Sequence, residues 1–337
     1  MGTVVIHTIG VIAGVLGIWG FTEEHLPKKV EPIRQNQKLS YTTTTRVVAG
    51  LDGTNGMAHA GRAIDQVVHY DNNDNGFATS RAGQRLEDGS YVDIKLTWHQ
   101  GMQSVSSRID ASTDNVCVAI LSTTWADGTK FGWTGDWANI CRLPSYYSGI
   151  IMPNGKSPAC MWLDARESQT KSSASIKIKW HDFISENGKT PSESEAKAMC
   201  GKSIKAYDRY LHEIPLPADR KVSAWTGNTK RESLPLMGRS DDSLVISSLS
   251  GQNATALCEQ PNSYGPDFIS LEEGIYCNME TRETLAICSS TVVGDCFDVD
   301  STSHILKDGA HKPRIRARNP TRVIHWGSDG GKEESAV

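Results

Sequence analysis

The chain has 337 residues, a hydrophobic share of 38% and a formal net charge of −4, with a mean hydropathy of −0.39. That length holds one large domain or two ordinary ones, and the composition suits a water-soluble body. So small a net charge excludes a global electrostatic pull towards nucleic acid.

The chain begins with a continuous apolar run, Thr3 to Phe21, interrupted only by His7. It reaches the length that spans a bilayer. No Lys or Arg precedes it, and Trp19-Gly20-Phe21 is a poor cleavage site beside the small-residue pattern of signal peptides. Gly10 and Gly14 form a GxxxG and Gly17 continues the face, as in packed membrane helices. Signal, anchor and apolar helix docked on its own domain all fit residues 1–21, and any membrane contact runs through residues 3–21. Lys28 and Lys29 would hold the body in the cytosol by the positive-inside rule. Gly2 lacks the hydroxyl residue that myristoylation needs four positions on, where Ile6 stands.

Residues 22–45 read as a polar linker, and strand patterns begin at Arg46. Tyr91–Trp98 alternates with period two behind Asp88-Gly89, a hairpin signal. Val116–Thr124 and Lys130–Trp133 form the next pair through Asp127-Gly128, and Ser175–Trp180 alternates again. Short strands at such spacing predict an antiparallel β-sandwich over residues 46–185. Residues 186–211 read as a helical segment, opened by Ser192-Glu193-Ser194-Glu195 and running through Ala196, Met199, Ile204 and Tyr207. Residues 212–250 read as a linker containing the dibasic pair Lys230-Arg231. Residues 251–300 read as a cysteine-rich, irregular block, and residues 301–337 as a basic, disordered tail. The fold class expected is therefore mainly β: a sandwich, a short helix, then a disulfide-rich C-terminal block.

The cysteines stand at Cys117, Cys141, Cys160, Cys200, Cys258, Cys277, Cys288 and Cys296, without a CxxC pair. Their spacing argues against a zinc ribbon or a thioredoxin-type centre and suits disulfides, with the connectivity open. Eight such residues in β-rich and loop-rich parts outweigh the two lysines after the apolar run. An extracellular or secretory location follows, with membrane anchoring as an option.

Chemistry is harder to find. No GxSxG, HExxH or GxGxxG occurs, and the Gly-Lys-Ser/Thr tripeptides lack the upstream glycine of a phosphate-binding loop. Asp71, Asn73 and Asn75 occupy positions one, three and five of a calcium-type loop with Gly76 at its turn. Ala82, however, stands where the bidentate glutamate belongs, and an Asn-Gly hairpin explains the same residues. Asp127, Asp136 and Asp164 could pair as acid and base, but turns account for the first two. No catalytic residue is assigned, and no cofactor is implied. Trp125, Trp133, Trp137, Tyr146 and Tyr147 are the ligand-binding candidates, because flat aromatic faces stack on sugars or fill partner pockets. Sandwiches also bury tryptophan against disulfides, so part of this set belongs to the core. Asn253-Ala254-Thr255 is an N-glycosylation sequon.

Four pieces together resemble a group of poorly characterised secreted proteins of filamentous fungi. They are the VxAGLDG segment ending at Gly53, DNVCVAILSTTWADGTKFGWTGDW from Asp114, PACMWLD from Pro158 to Asp164, and YGPDFISLEEGIYCNMETRETLAIC from Tyr264 to Cys288. The resemblance implies a β-rich, disulfide-bearing body behind an apolar N-terminal segment and carries no catalytic residue. The functional expectation is a secreted or membrane-tethered, non-enzymatic binding protein that contacts a glycan or cell surface through aromatic residues, without nucleic acid. An enzyme or cyclase of a fungal secondary-metabolite pathway and a toxin or effector processed at Lys230-Arg231 are the alternatives.

Overall fold

The computed structural model describes residues 28–31, 33–35, 38–50, 60–80, 83–98, 104–112, 115–152, 157–165, 173–183, 192–216, 242–260, 262–306 and 314–327. The apolar run and the Lys230-Arg231 pair lie outside these residues. The chain divides into two compact units, residues 1–235 and 236–337.

The first unit opens with β1 (Ile33–Gln35), β2 (Lys38–Ala49), β3 (Ala63–Tyr70), β4 (Gly76–Thr79), β5 (Gln84–Arg85) and β6 (Tyr91–Trp98). Next come β7 (Ser106–Ala111), β8 (Val116–Thr124), β9 (Lys130–Thr134), helix α1 (Asp136–Cys141), β10 (Ser145–Tyr147), β11 (Ala159–Leu163) and β12 (Ser175–Lys179). Helix α2 (Glu193–Met199), β13 (Ile204–Tyr207) and β14 (Glu213–Ile214) are the last of its described elements. The strands form two sheets in which every pair is antiparallel. The first runs β1-β2-β8-β11-β10, with β6 also on β2 and β9 also on β8; the second runs β14-β13-β12-β7-β3-β4, with β5 also on β3.

Period-two alternation turns one face of each sheet inward. Ile94, Leu96 and Trp98 of β6, Leu121 of β8 and Trp133 of β9 meet Ile109 of β7, Ile176 and Ile178 of β12 and Ile204 of β13 in a single apolar cluster. The result is the expected antiparallel sandwich. All nine residues of β8 are buried, so the first sheet is covered on both faces there. The Cys117–Cys160 disulfide ties β8 to β11, and Cys141–Cys200 ties α1 to the end of α2.

The second unit contains β15 (Ser243–Ser247), helix α3 (Ala254–Glu259), β16 (Asp267–Ser270), β17 (Ile275–Asn278), β18 (Glu283–Ile287), β19 (Cys296–Asp298), β20 (Ser303–Leu306), β21 (Arg314–Ala317) and β22 (Arg322–Trp326). Its eight strands follow the order β21-β20-β19-β18-β17-β16-β15-β22. The two edge strands are thus consecutive in the chain, joined by residues 318–321. Five residue steps reach at most about 18 Å, whereas a flat eight-stranded sheet would set its edges about 34 Å apart. The sheet must therefore curl until its edges approach. Arg318 N donates to Thr302 O at 3.1 Å and Thr321 N to Asp242 O at 3.2 Å, pinning this link to the ends of β20 and β15. Leu244, Ile246, Ile269, Tyr276 and Phe297 fill the concave side. Asp267 closes one end of that core, accepting from Tyr276 Oη at 2.8 Å, Arg318 Nε at 2.8 Å and Met279 N at 2.9 Å.

A mainly β chain with four disulfides is what the sequence led us to expect, but several segments differ. Residues 251–300 are more regular than an irregular block, because a shared sheet recruits them. Residues 303–306, 314–317 and 322–326 are strands where a disordered tail was expected, and residues 38–45 are strand where a linker was expected. The helix expected over 186–211 covers only Glu193–Met199. It stops at Cys200, Gly201 takes φ 86°, and the alternation Ile204-Lys205-Ala206-Tyr207 joins the sheet edge instead. The Cys258–Cys277 disulfide fixes α3 to β17, and Cys288–Cys296 closes the β18–β19 connection.

Candidate functional site on the outer face of the second sheet

Strand register sets three cations side by side. On the outward face of the second sheet, Lys177 lies opposite Arg108 on one side and Lys205 on the other. Side chains directly opposite in neighbouring strands stand about 5 Å apart, where like charges repel. Each cation therefore requires an anion, and each has one. Arg108 donates from Nε to Asp110 Oδ1 at 2.7 Å and from Nη2 to Oδ2 at 2.9 Å. Lys177 pairs with Asp74, and Lys205 with Glu213 at 3.0 Å. Gln66, across from Asp110 in β3, donates its amide to Oδ2 at 2.7 Å.

Two tyrosines complete the row. Arg108 Nη1 donates to Tyr70 Oη at 2.7 Å, and the Lys177 ammonium sits 3.6 Å from the centre of the same ring, a cation–π contact. Tyr207 stands opposite Ser175 and Glu213. Burial, reinforced by the charge of Glu213, pushes its phenol up to about 12, so it stays a neutral hydrogen-bond donor at physiological pH. Burial also raises Tyr70, opposed by the charge of Arg108. Burial works against the charge of Arg108, but the hydrogen bonds and charge of Asp110 outweigh it and hold the guanidinium above its ordinary pKa. The Arg108 and Lys177 side chains are themselves only 13% and 8% exposed, but the outer counter-ions are open to water: the Asp74 side chain is 67% exposed and that of Glu213 45%.

The row continues into the turn between β13 and β14. Asp208 Oδ1 accepts from Tyr210 N at 2.8 Å and His212 N at 2.9 Å, while Leu211 N donates to Asp208 O at 3.0 Å. These bonds hold Leu211 at φ 62°, a left-handed conformation costing a non-glycine residue about 1–2 kcal/mol. The outcome is a hydrogen-bonded tip with Tyr210 66% exposed and the Arg209 guanidinium 4.9 Å from its ring centre.

The aromatic candidates read from sequence go elsewhere. Trp125, Trp133, Trp137 and Tyr146 are buried, Trp133 and Trp137 to 1% exposure, so none offers a free ring face to a ligand. Trp133 faces the sandwich core from β9. Trp137, on α1, packs edge-on against Phe183 at 5.1 Å. Trp125 lies against Phe131 at 4.6 Å. Tyr147 is half-buried beside Tyr146. The physical reason is area: indole rings are the largest apolar surfaces available to fill a sandwich braced by two disulfides.

The calcium-type loop also has another task. Asp71 Oδ1 accepts from Asn73 N at 2.8 Å and Asn75 N at 2.9 Å, which shapes the β3–β4 turn, and Asn75 Nδ2 contacts the other oxygen at 3.4 Å. Asp74 is drawn to Lys177. Among the described residues no group of three His, Cys, Asp or Glu could hold a metal; Ala82 lies outside them. Asp136 accepts from Thr134 Oγ1 and Ala159 N, and Asp127 from Thr129 N, so these acids brace turns. Asn253 caps α3, its Oδ1 accepting from Ala256 N at 2.7 Å. All eight cysteines form four disulfides, which suggest an extracellular or secretory location. Among the described residues no helix is long and apolar enough to cross a membrane.

Sequence reasoning missed Tyr70, Arg108, Lys177, Tyr207 and Tyr210. The alternation of Lys177 and Lys179 with Ile176 and Ile178 marked an outward face. The partners on that face come from segments up to 103 residues away, as the Asp74–Lys177 pair shows. Tyr207 was assigned to a helix, which hid its place in the row.

No protein-family model matches the chain, and no curated protein matches it. Seven solved chains match, among them a crystal structure of a LOX variant at 10% identity and a TM-score of 0.19. That match covers 28% of this chain and 14% of the other, and a likeness so small carries no argument.

Proposed function

We propose that this is a secreted, non-enzymatic binding protein that engages a glycan or another cell-surface group through the outer face of the second sheet and the adjoining Tyr210 turn. The observation that carries this reading is the in-register row Arg108–Lys177–Lys205, whose outer counter-ions, Asp74 and Glu213, are exposed. An anionic ligand group could replace either carboxylate while Tyr210 offers a ring for stacking. The four disulfides support an oxidising location. Tethering through residues 3–21 and N-glycosylation at Asn253 belong to the same reading.

The test is binding to acidic and neutral polysaccharides at rising salt. Wild-type protein should prefer the acidic chain and lose affinity as salt screens the cations. Combining Tyr210→Ala with Lys205→Glu should weaken binding at least about tenfold, a difference of about 1.4 kcal/mol. Absence of binding at low salt, or full affinity in the double variant, would overturn the reading.

A further inference from the structure

β18 and β19 run parallel, yet only residues 288–295 connect them. Parallel neighbours usually need a crossover of about a dozen residues or more. Here the Cys288–Cys296 disulfide closes the connection into a small ring. Both half-cystines are anchored in the sheet: Cys288 N donates to Phe297 O at 2.8 Å, and Cys296 pairs with Ala286 and Ile305. Inside the ring, Ser289 Oγ contacts Thr291 Oγ1 at 2.9 Å and Ser289 O accepts from Val292 N at 3.3 Å.

The far side of the ring is open. Val293 is 88% exposed, more than any other large apolar residue among those described. A Cβ placed on Gly294 would meet nothing within 4 Å, so the segment is convex. Among the described residues, the main chains of Val293 and Gly294 make no hydrogen bond. A lone exposed valine is ordinary. An exposed valine on a disulfide-closed ring, with unpaired main chain on both sides of its peptide bond, is a presented segment.

We propose that the Cys288–Cys296 ring is an inhibitory loop for an extracellular serine-type endopeptidase, with Val293 entering a pocket for small aliphatic side chains. A cleft that reads extended peptide takes its affinity from main-chain hydrogen bonds and its selectivity from side-chain pockets. Val293 and Gly294 leave free the groups such a cleft pairs with. Ring closure removes conformational freedom before binding, which is how a constrained loop gains affinity over a linear one. Ser289–Asp295 contains no Lys, Arg or aromatic residue, so pockets for bases or large rings have nothing to hold. The disulfides suggest the kind of compartment in which such enzymes act. This inference is independent of the ligand proposed for the second sheet.

The full chain is titrated against three serine endopeptidases whose pockets prefer small aliphatic, basic and aromatic residues, each assayed with a chromogenic peptide. Competitive inhibition of the first enzyme alone is expected. Val293→Arg, a surface change that leaves the circular dichroism spectrum intact, should weaken that inhibition at least about 100-fold and transfer it to the base-selective enzyme. Opening the ring with Cys288→Ser and Cys296→Ser should weaken inhibition at least about tenfold and expose the Val293–Gly294 bond to cutting. Three results would overturn the proposal. One is a wild-type chain that leaves the aliphatic-selective enzyme uninhibited. Another is an intact ring cut as fast as a linear peptide of the same sequence. The third is a Val293→Arg chain that inhibits as wild type does.

Discussion

Each unit carries an arginine, an aspartate and a tyrosine joined by short hydrogen bonds, and the two sets differ in where the tyrosine stands. In the first unit Arg108 donates both to Asp110 and to Tyr70 Oη, on an outward sheet face. In the second, Arg318 and Tyr276 both donate to Asp267, on the concave side of a curled sheet. Tyr276 stacks on Phe297 at 4.0 Å, and burial, with the charge of Asp267 adding, drives its phenol far above the ordinary range. The outward set borders on exposed counter-ions that a ligand could displace. In the inward set Arg318 also reaches an exposed carboxylate, Asp242 at 3.5 Å, but the Tyr276–Asp267 bond cannot be exchanged without opening the core. The same three residue types therefore lie on a sheet face in one place and close a core in the other, and the complete burial of Tyr276 against the half-burial of Tyr70 makes the difference.

The sharpest way to break the comparison is Asp267→Ala. It takes the acceptor from the buried Tyr276 hydroxyl and the Met279 N–H and leaves the Arg318 guanidinium to the exposed Asp242, 3.5 Å away, and should destabilise the second unit by roughly 3–5 kcal/mol. Denaturant unfolding followed at the second unit should show the loss, with the first unit's transition unmoved. A cost below about 1 kcal/mol would mean that the inward set is not what closes that core.

The inner face of the second sheet supplies the next largest effect. His69 is fully buried, bonded through Nδ1 to Ser107 Oγ at 2.7 Å, and burial holds its pKa down to about 3. The unfolded chain takes up this proton first as pH falls, because its histidine titrates near 6.5. The stabilising contribution is thus whole above about pH 6.5 and is lost progressively towards about pH 3, by up to a few kcal/mol. His69→Gln should flatten that acid limb of stability against pH. An unchanged limb in the variant would assign acid sensitivity to other groups.

Asp110→Ala tests the outward set in turn. Arg108 keeps Tyr70 as a partner, and besides it only the Gln66 amide loses an acceptor, so about 2 kcal/mol is expected, below the loss for Asp267. Equal costs would erase the distinction between the two sets. Tyr70→Phe is the mildest: it removes one acceptor from Arg108 and should lower stability by about 1 kcal/mol. The aromatic face under Lys177 is kept, and thermal unfolding should register only that small shift.

Much of the scaffold was legible. Tyr91–Trp98 and Val116–Thr124 were read with the bounds that β6 and β8 have, because alternation and Asp-Gly turns are local signals. The disulfide reading of the cysteines was legible from count and context, whereas the pairs formed were not. The ligand-facing aromatics were misread. Trp133 and Trp137 were read as faces for a ligand, but α1 sets Trp137 against Phe183 and both rings fill the core. Ile204–Tyr207 followed a sound capping box at Ser192 and Glu195, and nothing local marked the helix as ending so soon. The decisive contact was non-local, the pairing of β13 with β12.

By itself the sequence determined the β class, the strands whose alternation is unbroken, the turns and the oxidised chemistry of the cysteines. These depend on neighbours within a few residues or on composition. Tertiary structure alone decided which face of each strand meets water, which cations stand in one row, and how the eight-stranded sheet curls. Those outcomes depend on register between strands far apart in the chain, and a shift of one residue there turns every side chain to the opposite face.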